Sequence, residues 1–103
     1  MMLVLETNGG LLHLFSDAAE AESHLEAIDI ENGEYEFCDA TGQRFVGELV
    51  APVGFFRSGS FRLRPDGVPN RAVVASILSR ARSLERECGG VRTLDDLRRA
   101  YVA

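Results

Sequence analysis

Two short apolar runs, MLVLE (Met2–Glu6) and LLHLF (Leu11–Phe15), flank Thr7-Asn8-Gly9-Gly10. Asn-Gly between strand-like runs is a strong hairpin signal, because both residues tolerate positive φ. Ser16 then suits a helix N-cap, with Asp17 and Glu20 near the positive end of the helix dipole. Ala18, Ala21, Leu25 and Ile28 recur at three- and four-residue steps, which predicts a buried stripe on a helix over Asp17–Ala27. Ile28–Ile30 reads as a brief extended piece and Asn32-Gly33 as a turn. Tyr35 and Phe37 alternate with Glu34, Glu36 and Cys38, the period of a half-buried strand. After a turn at Asp39–Gly42, the pattern predicts a return strand over Gln43–Val50, with Gly47 marking a bulge and Pro52 ending the strand.

Gly54–Arg57 and Ser60–Arg64 around Ser58-Gly59 read as a further hairpin, closed by Pro65-Asp66-Gly67. Asn70 is placed to cap a long helix reaching about Cys88, with Gly89 as its stop. Val73, Val74, Ile77, Leu78, Ala81 and Leu84 form its apolar stripe. Thr93 with Asp96 resembles a capping box with Asp in place of Glu, opening a last helix docked by Leu94, Leu97 and Tyr101. Strands joined by tight turns make an antiparallel sheet. The expectation is one α+β domain over residues 1–103: two layers, a sheet built from hairpins and helices packed on one face.

Length and charge sharpen this picture. At 103 residues the chain has the size of one domain. No basic stretch precedes an apolar run at the start, and nothing approaches the ~18 apolar residues of a membrane span. Cys38 and Cys88 are too few for a disulfide framework, so the expectation is a cytoplasmic protein with free thiols and no membrane partner. The charge is lopsided. Residues 1–43 carry ten acids and no Lys or Arg, whereas residues 44–103 carry eleven Arg and six acids. Either the halves neutralise each other in the fold or they form separate patches.

Candidate chemistry is sparse. Glu34 and Glu36 share a strand face, as paired acid–base carboxylates would, but so do the acids of any solvated strand. His13, His24, Asp29 and Glu31 are the only group to weigh as metal ligands, and their spacing matches no metal motif, so no metal and no cofactor are expected. Cys38 has no evident base, and Gly89-Gly90 follows a helix where a phosphate cradle would precede one. The run FFRSGSFRLR (Phe55–Arg64) mixes aromatics with arginines, as single-strand binders do. A pI near 4.9 opposes direct nucleic-acid binding, and core phenylalanines with rim arginines explain the run more simply. The chain reads as non-enzymatic.

The acidic stretch remains: nine acids lie between Asp17 and Asp39. Such a surface steers association with a basic protein. The expected partner-binding residues are Glu20, Glu22, Glu26, Asp29, Glu31, Glu34 and Glu36, with Tyr35 as aromatic anchor. The segment EAESHLEAIDIENGEYEFCDATGQRF (Glu20–Phe45) resembles small immunity-type proteins of bacterial polymorphic toxin systems. That resemblance implies a compact, non-enzymatic α+β protein that binds a cognate toxin, such as a nuclease domain, and occludes it. The alternative reading is a small regulatory or ligand-binding domain, a homodimer joined through a sheet edge.

Overall fold

The computed structural model describes residues 1–51 and 59–102. Strands β1 (Met2–Glu6), β2 (Leu11–Phe15), β3 (Tyr35–Asp39), β4 (Arg44–Ala51), β5 (Ser60–Asp66) and β6 (Ser83–Arg86) form one sheet in the order β5-β4-β3-β1-β2-β6. Helices α1 (Ala18–His24) and α2 (Ala27–Glu31) follow β2, α3 (Arg71–Arg80) follows β5, and α4 (Leu94–Val102) ends the chain. The class is α+β, as expected, and every described pairing is antiparallel except that of β2 with β6. No described helix is long and apolar enough to cross a membrane.

The apolar runs explain the layering. Met2, Leu3, Val4 and Leu5 are all buried, so both faces of β1 are covered. Leu3, Leu5, Leu12, Leu14 and Cys38 pack against Val73, Val74, Ile77 and Leu78 of α3 and Leu97 of α4. Met2, Val4, Phe15 and Phe37 pack on the opposite face with Ala21 of α1, Leu25 and Ile30. The helices therefore divide between the two faces, where one covered face was expected.

The expected helix over Asp17–Ala27 is shorter and interrupted. Asp17, one residue later than Ser16, is the N-cap and accepts from the Glu20 amide at 2.8 Å. The helix stops at Leu25, whose backbone is extended (φ −89°, ψ 153°). Ile28–Ile30, expected to be extended, lies in α2. The break re-registers the chain: Ile30 turns inward against the second core, and Ile28, expected in the buried stripe, is 44% exposed. Gly47 makes room for this. A Cβ there would stand 2.4 Å from Ile30 Cγ2. The strand irregularity expected at Gly47 falls instead between Leu49 and Ala51.

The larger departure is at the C-terminal end of α3. Asn70 is the cap, accepting from the Ala72 amide at 3.0 Å, but the helix ends at Arg80 rather than near Cys88. The Arg82 amide donates to Gly10 O at 2.7 Å, and Ser83–Arg86 pairs in parallel with β2. The free outer edge of β2 outweighs the local helical pattern, because its backbone groups need partners. Leu84 still reaches the core, now from a strand. Arg98 of α4 donates to Leu78 O and Ala81 O, tying the end of α3 to the last helix. Thr93 Oγ1 accepts from the Asp96 amide at 3.1 Å, as its spacing predicts. β4 pairs with β5; the expected strand Gly54–Arg57 and the Tyr101 side chain lie outside the described residues.

Gly47→Ala should destabilise the protein by about 1–3 kcal/mol in urea unfolding, the usual cost of overpacking. In an Ile30→Leu background, which has no Cγ2, that cost should shrink.

Candidate functional site

The folded chain sorts the acidic stretch into acids that are bound internally and acids that are not. Glu20 lies in the first turn of α1, where Arg86 of β6 donates to it at 3.0 Å and Ser16 Oγ at 2.8 Å. The hydrogen bond from Arg86, and then that from Ser16, holds its carboxyl below the usual carboxylate range. The same guanidinium lies 4.8 Å above the Phe15 ring centroid. Glu36 of β3 bonds Arg80 of α3 across the sheet face. Glu22 accepts from the Leu63 amide of β5 at 2.7 Å. Of the expected partner-binding residues, Glu20, Glu22 and Glu36 thus have partners within the fold.

Glu26, Asp29, Glu31 and Glu34 are different. Glu26 is the exposed N-cap of α2 and makes no side-chain capping bond. Glu31 ends that helix, fully on the surface. Asp29 and Glu34 meet: the Glu34 amide donates to Asp29 O at 3.1 Å, and the two carboxyls crowd each other. Their shared hydrogen bond, with desolvation and the nearby Glu6, raises the Glu34 carboxyl above its ordinary value. Among the described residues no Arg or His forms an ion pair with any of these four.

Tyr35 joins this corner to the sheet. Its hydroxyl donates to Asp29 Oδ2 at 3.5 Å. Burial first, then the charges of Asp29, Glu6 and Glu34, push that hydroxyl up to about 12. The His13 ring stands edge-on to Tyr35 with centroids 6.5 Å apart, and His13 Nε2 lies 2.6 Å from Glu6 Oε2. Sequence reasoning missed the Glu6–His13 pair. Counting outward from the Asn8-Gly9 turn would have found it, since the β1–β2 register sets Val4 opposite His13 and places Glu6 diagonally beside it.

A His–carboxylate pair is half of a general-base unit. Among the described residues no hydroxyl or thiol hydrogen-bonds to His13. Cys38 is buried, and that burial pushes its thiol up to about 12, away from the reactive thiolate. His24, weighed with Asp29 and Glu31 as a ligand, instead has Nδ1 2.9 Å from Glu20 O. No described cluster of His, Cys, Asp and Glu could hold a metal ion. Glu26, Asp29, Glu31 and Glu34, none in an ion pair among the described residues, leave this corner negatively charged.

Two perturbed carboxyls of the acidic stretch, Glu20 and Glu34, predict opposite pH behaviour. Glu20 is depressed, so its stabilising contribution is present above its unfolded pKa and is lost as pH falls through the folded one. Glu34 is raised, so the folded state binds the extra proton and stability falls as pH rises through its folded pKa. At pH 7, Glu20→Gln should lower the thermal midpoint and Glu34→Gln should raise it. The Glu34 difference should close once pH falls below the ordinary glutamate range, and the Glu20 difference only at lower pH, when its depressed carboxyl is protonated in the folded state as well.

No family model, no curated protein and no solved structure matches this chain.

Proposed function

We propose that the protein is a non-enzymatic binding module that docks a basic protein on its α2 corner, acting as an immunity-type inhibitor of a bacterial toxin such as a nuclease domain. The observation that carries this reading is the concentration of unpaired acids. Arg86 with Glu20 and Arg80 with Glu36 join the two halves of the chain. At α2 and the turn after it no described arginine forms such a pair. A cation brought to Asp29 and Glu34 relieves a like-charge contact already present in the free protein. Ile28, exposed between Glu26 and Glu31, supplies apolar surface inside the acidic rim. Inhibition by occlusion needs no catalytic group on this chain, which fits the partners found for His13 and the burial of Cys38.

Tagged protein should retain from lysate of its own organism one basic, stoichiometric partner that leaves in ~0.5 M salt, where charge attraction beyond a few Å is screened. Against that purified partner, the joint variant Glu26→Gln, Asp29→Asn, Glu31→Gln, Glu34→Gln should associate about tenfold more slowly at low salt, with a flatter salt dependence. Dissociation should change less. Association kinetics identical to wild type would remove the α2 corner as the docking surface.

A further inference from the structure

We propose that the cleft where β3 and β4 part receives an arginine side chain of the partner, its guanidinium lying between aromatic rings and carboxylates. This rests on the docking reading above and names the anchor the partner brings. The cleft has a simple origin. β3 and β4 register only at Phe37↔Phe45 and Cys38↔Arg44, while β4 runs on in register with β5. Beyond that short ladder the strands separate, and Ile30 of α2 approaches from one side at Gly47.

The cleft has room for a side chain. It is half-open, with a volume of about 270 Å³, at the lower bound of the ~300–1,000 Å³ of small-molecule sites. Tyr35 and Phe45, both half-buried, line it, and the buried Phe37 ring packs behind Tyr35 with centroids 6.0 Å apart at 54°. A planar, weakly hydrated guanidinium stacks on such rings better than a compact ammonium does. Ile30 and Val46 offer apolar surface to the methylene stem.

Charge selects a cation. Glu36 and Asp66 line the cleft against a single described cation, Arg44, which faces Asp66 in the β4–β5 register. Arg80 bonds one oxygen of Glu36. Asp29 and Glu34 stand beside Tyr35, one of the residues that line the cleft. An anionic guest would meet Asp29 and Glu34, which no described Arg or His pairs, and a cationic guest offsets their charge. The acidic corner and the cleft share Tyr35, so a basic surface steered to α2 arrives with its side chains at the opening.

The test titrates ¹⁵N-labelled protein with N-acetyl-glycyl-arginyl-glycinamide and with its citrulline counterpart, which keeps the shape and loses the charge. Amide shifts at Tyr35, Val46 and Gly47 should saturate with a dissociation constant on the order of 1 mM for the arginine peptide. The citrulline peptide should bind about tenfold more weakly. Val46→Trp, which fills the cleft from a half-buried position, should remove saturation, as should Tyr35→Leu, which deletes a ring. Equal binding of the citrulline peptide would overturn the proposal and indicate a neutral small-ligand site. Arginine-peptide shifts confined to α2 and unchanged in both variants would overturn it while leaving the acidic docking surface standing. Absence of saturable shifts at the cleft would overturn it too, and the docking surface would then be judged by the partner kinetics alone.

Discussion

Strand β1 has no side that faces water. Its residues Met2 to Leu5 are buried in alternation on two cores, and the rest of the molecule is arranged to keep them so. Burying an aliphatic side chain is worth roughly 1.5–3 kcal/mol, so leaving either face bare would forfeit several kcal/mol in a domain whose net stability is of that order. This demand places α3 and α4 on one face and α1 and α2 on the other. It also makes the stop of α3 at Arg80 useful. A helix continued to Cys88 would leave the outer edge of β2 unpaired, whereas the turn back through Arg82 supplies β6.

The division of acids follows from that layering. Helix α1 lies near β6 and β5, and so Glu20 meets Arg86 and Glu22 meets a backbone amide. Strand β3 lies under α3, and so Glu36 meets Arg80. Helix α2 sits over β4, held by Ile30 in the space at Gly47, with no described arginine paired to its acids. Acids without an ion-pair partner among the described residues therefore gather at α2 and the turn that follows. Tyr35 connects them to an aromatic cleft.

Local chemistry made part of this readable from the residues alone. Asn-Gly turns and the Asn70 and Thr93 caps are short-range signals, and each lies where its spacing places it; the alternation around Tyr35 and Phe37 marks a strand, but Cys38 on its other face is buried too, where a half-buried strand was expected. What could not be read depends on distant partners. The segment Ser83–Arg86 has helical spacing and becomes a strand only because β2 offers an edge. The interruption between α1 and α2 follows from the fit of Ile30 to Gly47 across the sheet face. The acids used internally look no different in sequence from those left outward, because Arg80 and Arg86 lie 44 and 66 residues from the carboxylates they bind. The cleft is equally silent: it is a gap between two strands, and no residue pattern encodes a gap.

The bond from the Leu63 amide to Glu22 bears on how the molecule behaves in a crowd. β5 is the outermost strand on its side of the sheet, the kind of edge on which another chain can add a strand and begin a fibre. A newcomer there finds the Leu63 donor already taken by a carboxylate and, two residues on, Pro65 with no donor to give. A side chain from the protein's own helix thus takes one of the donors of that edge and makes strand addition there less favourable.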